Sequence, residues 1–231
     1  MSFFTTTATV THTTRLPRGK TRAEAIALLS DHDFFLSCDP HLTKAELIPR
    51  AEFATLNPPP AVPDHVKPEL RAKPVPSQPN SGSGSSGSSG SSQYEGEGEA
   101  PETVPECYRV TDIVHAIPAG IWDTNVVSVF EITDIEEGWF VRIRSPLSVV
   151  METFWRVREV AGGAGGAGAG ESGDEDGEGG EGEAGPGLEL VEEITISCSR
   201  LLMGIVKSQC ENDWKQIHGK MVARLVGEGE K

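Results

Sequence analysis

Two long stretches of this chain are nearly devoid of core-forming side chains, and they limit what the remainder can build. Residues 54–105 run from a proline-rich segment (Pro58, Pro59, Pro60, Pro63, Pro68, Pro74, Pro76, Pro79) through a Gly/Ser tract at 80–92 into acidic 95–102. Residues 161–187 are almost wholly Gly, Ala, Glu and Asp. Neither has enough apolar surface to offset the entropy of ordering its backbone, so both are expected to be disordered inserts. Removing them leaves about 150 residues, one ordinary domain with room for a core. The expected order is 1–53, the first part of the domain; 54–105, an insert; 106–160, central strands; 161–187, a second insert; 188–226, the last strand and a helix; 227–231, a tail.

Charge follows the same division. Residues 80–105 and 161–187 hold eleven carboxylates and no Lys or Arg, so most of the formal charge of −15 lies there. The rest is close to balanced, which argues against a basic nucleic-acid footprint and gives no electrostatic pull toward anionic membranes. The opening MSFFTTTATV lacks the basic-then-apolar order of a secretion signal, and no apolar run reaches the roughly 20 residues that span a bilayer. Cys38, Cys107, Cys198 and Cys210 are widely spaced without a CxxC pair. Reduced thiols and a cytoplasmic location are the expectation.

Local signals order the body. Residues 5–14 alternate around Ala8, Val10 and His12 in a Thr-rich background that suits a strand. Thr21 followed three residues later by Glu24 is a capping box, and Ala25, Ile26, Leu28 and Leu29 mark one face of the helix it starts. A second helical turn carries Phe34, Phe35 and Leu36 and stops before Pro40. Residues 44–53 read as a weaker strand. Residues 107–115, 126–133, 139–145 and 149–160 form an antiparallel meander punctuated by Pro118-Ala119-Gly120, 134–138 and Pro146. The second insert then joins 149–160 to a strand at 188–199, a long loop tolerable because closure entropy grows only logarithmically. From 201 to 226, Leu202, Ile205, Val206, Trp214, Ile217, Met221, Val222 and Leu225 recur at helical spacing, with Lys207, Glu211, Lys215, Lys220 and Arg224 largely elsewhere. A curved antiparallel sheet around this long C-terminal helix, an α+β fold, buries both apolar faces.

The segments MSFFTTTATVTHTT, LLSDHDFFLSCDPHL, CYRVTDIVHAIPAGIWDT, RIRSPLSVVMETFWRVREV and ISCSRLLMGIVKSQCENDW resemble a family of filamentous-fungal proteins of uncharacterised function. In element order the chain also resembles the START-like (SRPBCC, helix-grip) superfamily of lipid-transfer domains, hormone-binding proteins, aromatase/cyclases and coenzyme Q-binding proteins. That second resemblance implies a cavity between the concave sheet and the long helix, able to hold a hydrophobic molecule; fold kinship alone does not establish function.

Chemical signatures are sparse. Gly163-Ala164-Gly165-Gly166-Ala167-Gly168 satisfies GxGxxG, but no helix follows to aim N–H groups at a phosphate, so it reads as linker. Asp174, Asp176 and Gly177 lack the helices and twelfth-position Glu of a calcium loop. Asp31, His32, Asp33, Asp39 and His41 read as caps and surface groups rather than as a metal set. Cys198 and Cys210 have no nearby His to activate them and read as small buried hydrophobes.

Glu192 stands out. It falls on the same face of its strand as Leu190, Ile194, Ile196 and Cys198, an apolar row in which a carboxylate needs a partner such as Arg142, Arg144 or a ligand group, unless the row faces solvent there or a bulge shifts its register. Trp155 shares a face with Met151, and Trp139 with Val141 and Ile143; core packing or a cavity wall would both use that surface.

The preferred expectation is non-catalytic binding of a small hydrophobic molecule or lipid in a cavity lined by Val141, Ile143, Met151, Trp155, Glu192, Ile194, Ile205 and Trp214, with no catalytic, metal or cofactor site. Two alternatives stay open: a cyclase/aromatase-like enzyme using Glu192 with Arg144 or Tyr108, and an interaction module acting through Pro58-Pro59-Pro60 and Pro74 to Pro79.

Overall fold

A computed structural model describes residues 5–71, 104–115, 123–160 and 187–227. The motifs at 118–120, 163–168 and 174–177 lie outside these residues, as do Pro74 to Pro79 and most of both expected inserts. Among the described residues seven strands form one antiparallel sheet: β1 (Thr5–Arg15), β2 (Leu42–Leu47), β3 (Glu106–His115), β4 (Asp123–Ile135), β5 (Gly138–Ser145), β6 (Val149–Val160) and β7 (Gly187–Ser199). Their spatial order is β1-β7-β6-β5-β4-β3-β2, so β1 pairs with the last strand and the meander runs outward from it. The fold is mixed α+β, a curved sheet with a C-terminal helix, in keeping with a helix-grip-like arrangement.

Helix α1 (Arg22–Leu29) begins with the expected box: Thr21 Oγ1 accepts from the Glu24 N–H, and Glu24 accepts from the Thr21 N–H at 2.8 Å. Helix α2 (His32–Ser37) is capped by Asp31, which accepts from the Phe34 N–H. Helix α3 (Arg200–Val226) leads directly out of β7, lies over β1 and β7 with its C-terminal end against α1, and stops at Gly227, whose φ of 79° is the left-handed conformation glycine adopts at little cost.

Period-two alternation sends Leu188, Leu190, Glu192, Ile194, Ile196 and Cys198 to the face beneath α3, and all six are buried. Along the ladders this face continues into Trp155, Trp139, Val141, Ile132 and Val110, which join α1, α2, Met221 and Leu225 in the main core. Gly138 permits a close approach there: a Cβ on it would sit 2.0 Å from the Trp155 carbonyl oxygen.

Two expectations need correction. The strand expected at 44–53 ends at Leu47, because Pro49 offers no N–H and a 3-10 helix, Arg50–Thr55, follows it. The described fold also extends beyond residue 53, where the first insert was expected to begin. Residues 56–71 lie across the sheet face opposite α3, where Val62 and Val66 are buried against Ile135 and Phe140, and Leu70 bridges to Ile135. Glu69 receives two hydrogen bonds from Arg156, at 2.9 and 3.0 Å, and Arg71 donates to the carbonyls of Ile135 and Gly138. The proline content conceals these few apolar and charged anchors; proline also presets an extended backbone that needs fewer hydrogen-bond partners. Pro60 is buried here and Pro58 accepts from Arg144, so part of the expected polyproline surface is used within the fold.

Candidate functional site

The burial of α3 changes along its length. Its C-terminal part carries His218, Met221 and Leu225 at 1%, 0% and 3% exposure. In its first fifteen residues none of Leu202, Met203, Ile205, Val206, Cys210 and Trp214 is buried, although all are apolar. The sheet floor shows the same gradient. Trp139 and Trp155 stack at 5.6 Å, Phe35 packs edge-on against both, and together they fill the space near α1 and α2. Toward the other end Ile143 and Met151 are only half-buried.

The eight expected cavity residues therefore separate. Val141 and Trp155 belong to the packed main core, and Ile194 to a second cluster with Val10, Ile196 and Cys198. Ile143 packs on the first cluster and Met151 on the second, each half-open. Ile205 is half-exposed on α3. Trp214 lies flat on His12 of strand β1, rings 4.8 Å apart and 6° from parallel, on the side of α3 toward the sheet edge. Clefts of about 530 and 520 Å³ open elsewhere, and none of the eight lines either.

Glu192 is buried, as alternation requires, but its partners are not Arg142 or Arg144. Those arginines lie on the opposite face, where they meet the buried Glu131: Arg144 at 2.5 Å and Arg142 at 3.6 Å. Glu192 Oε2 instead receives a hydrogen bond from His12 Nδ1 at 2.8 Å, directly across the β1–β7 ladder, and faces His218 Nε2 of α3 at 3.5 Å. His218 Nδ1 is 2.8 Å from the Thr14 hydroxyl, which donates to it when Nε2 carries the proton. Burial alone would raise the Glu192 carboxyl, but His12 and His218 together hold it below the ordinary glutamate value. The cluster joins β1, β7 and α3. His12 was readable in the alternation of β1 but not as a partner of Glu192; His218 was missed, although it stands in the α3 stripe four residues after Trp214 and three before Met221.

A second polar group stands on the same face of the sheet, at β3. Asp112 shares its face of β3 with the buried Tyr108 and Val110, and among the described residues its buried Oδ1 has no hydrogen-bond partner. Burial, with the nearby Asp39 carboxylate, pushes Asp112 up to about 7, against the pull of His41. Asp39 accepts from the His41 N–H at 2.7 Å, and His41 Nε2 meets Asp213 of α3 at 3.2 Å. His32 sits between Glu106 at 3.4 Å and Asp134 at 3.5 Å. The Asp/His group of residues 31–41 is thus dispersed among a helix cap and separate ion pairs, and no set of three or more potential metal ligands is assembled among the described residues.

Chemically, the four thiols are poor nucleophiles. Burial pushes Cys38 up to about 11 and Cys107 and Cys210 up to about 12, and raises Cys198 as well. Tyr108 donates to Glu106 and stands on β3, four strands from Glu192, so the structure does not assemble Glu192 with Tyr108 or Arg144. The site offers a greasy, half-open floor, one imidazole–carboxylate cluster and one carboxyl poised near neutrality.

A family model described as a domain of unknown function, DUF7053, matches residues 5–227. The chain belongs to this family. The DUF7053 match spans every described strand and helix, so the sheet, α3 and both polar groups fall within the family's domain. No match was found among curated proteins. Among the described residues of this DUF7053 chain, no helix is long and apolar enough to cross a membrane.

Proposed function

We propose that this domain binds or carries a small hydrophobic molecule or lipid between the N-terminal half of α3 and the concave sheet, in the manner of the START-like superfamily. The observation that supports this is the burial gradient: the apolar side chains of Ile143, Met151, Ile205 and Val206 are only partly covered by the rest of the protein, whereas those near the C-terminal end of α3 are buried. Covering such surface is favourable by about 25 cal/mol per Å², so a ligand of matching shape gains most of its affinity there. Detergent-free purification, native mass spectrometry and solvent extraction test the proposal. A copurifying apolar molecule, lost in an Ile143→Trp variant that fills the space, supports it; an empty protein that takes up no lipid after exposure to a cell extract overturns it.

A second reading, a cyclase/aromatase-like enzyme, is favoured by the His12–Glu192 hydrogen bond, because a carboxylate-held imidazole is a common acid–base arrangement. Turnover of a polyketide-like substrate abolished by Glu192→Gln in a folded variant would support it, whereas no turnover by the wild-type chain would remove it.

A further inference from the structure

Beyond the groove, the far end of α3 borders a cleft of about 530 Å³, a size suited to a small ligand. The β1–α1 loop, α1 and the end of α3 border this open cleft. Leu28, Leu225 and Val226 form its apolar part, Arg18, Lys20 and Arg224 supply three cations, and among the described residues no carboxylate lines it. In a chain of net charge −15 this is a local reversal of sign. Arg18 and Lys20 form no ion pair or hydrogen bond among the described residues. Arg224 is held in position by Phe34, 5.0 Å beneath its guanidinium, and by Asp31 at 3.7 Å. Glu24, whose carboxylate accepts the capping bonds from Thr21, also lies within electrostatic reach of Lys20. Carbonyls at the end of α3 would repel an anion, but the Gly227 N–H caps those of Ala223 and Arg224.

We propose that this cleft binds an amphiphilic anion, its tail against Leu28, Leu225 and Val226 and its carboxylate or phosphate head among Arg18, Lys20 and Arg224. Charge complementarity supplies the argument: cations beside a partly exposed apolar patch select a molecule carrying both features, and the attraction weakens as salt screens it.

Methyl NMR of the full chain, titrated separately with decanoate, decyl phosphate, decanol and inorganic phosphate, tests this. Decanoate or decyl phosphate should shift the Leu28, Leu225 and Val226 methyls, with decanol and inorganic phosphate each at least about tenfold weaker, and the tighter of the two anions identifies the head group. Arg18→Gln with Lys20→Gln, both exposed positions, should weaken binding about tenfold while leaving the spectrum otherwise unchanged. The proposal is overturned if decanol matches decanoate, if inorganic phosphate matches decyl phosphate, if the double variant binds unchanged, or if shifts occur only at Ile143 and Met151. The last result would place the anion in the groove and leave the groove reading intact.

Discussion

His12 and Glu192 stand opposite each other across the β1–β7 ladder and share a 2.8 Å hydrogen bond, with His218 of α3 closing over the carboxylate. One charged group thereby ties the sheet edge, its neighbouring strand and the helix that roofs the groove. Removing a partner leaves buried charge undercompensated, so His218→Ala should cost about 2–4 kcal/mol in urea unfolding at pH 7. A loss below about 0.5 kcal/mol would show that the cluster does not hold the helix.

The same carboxylate fixes an acid dependence. Its folded-state pKa is lowered, so the folded protein holds the ionised form more strongly than the unfolded chain does. That stabilisation is present above the ordinary glutamate value and is lost as pH falls through the lowered native value. Glu192→Gln should therefore flatten the decline of stability below about pH 4.5. Denaturant midpoints from pH 3 to 7 check it; parallel curves for both proteins would contradict it.

Asp112 predicts the opposite slope. With its folded pKa near 7 and an unfolded value near 3.8, the folded state takes up a proton between those values, so this residue's contribution worsens as pH rises through that window and then levels off. Allowing for solvent screening, Asp112→Asn should stabilise the protein at pH 8 by about 1–2 kcal/mol and have little effect near pH 4. Equal effects at both pH values would rule out this account of the carboxyl.

The boundary of the first insert can be tested by deletion. Replacing residues 72–103 with a short Gly/Ser linker should change stability by no more than about 1 kcal/mol, because loop length enters only logarithmically. Beginning the deletion at residue 54 removes Val62, Val66 and the Glu69–Arg156 pairing and should cost several times more. Calorimetry of the two variants distinguishes these outcomes; identical melting would show that 56–71 contribute nothing.

Leu147 and Ser148 have φ of 60° and 58°, a left-handed conformation uncommon for residues other than glycine and asparagine, and Leu147 is 74% exposed. Leu147→Asn should stabilise the protein by about 0.5–1 kcal/mol, measured by thermal unfolding. Destabilisation would mean that the leucine side chain makes a contact that outweighs its backbone strain.

Features set by neighbouring residues were readable in the chain: the Thr21–Glu24 box, the Asp31 cap and the strand alternation that buries Glu192. What decides the site is non-local. Glu192 lies 180 residues from His12, and Thr14 lies 204 from His218, so a need for a partner was legible while the partner was not. Arg142 and Arg144 were plausible candidates until the register placed them on the other face. Residues 56–71 were obscured because composition averages over a window, whereas packing needs only Val62, Val66 and Leu70 at the right positions.

The central claim is that the space under the first half of α3 receives an apolar ligand. Methyl NMR of the lipid-free protein, titrated with the apolar fraction of a cell extract, addresses it most directly. The account predicts shifts at Ile143, Met151 and Ile205 with Met221 unmoved. No shift at the first three residues, with the protein folded throughout, would contradict it.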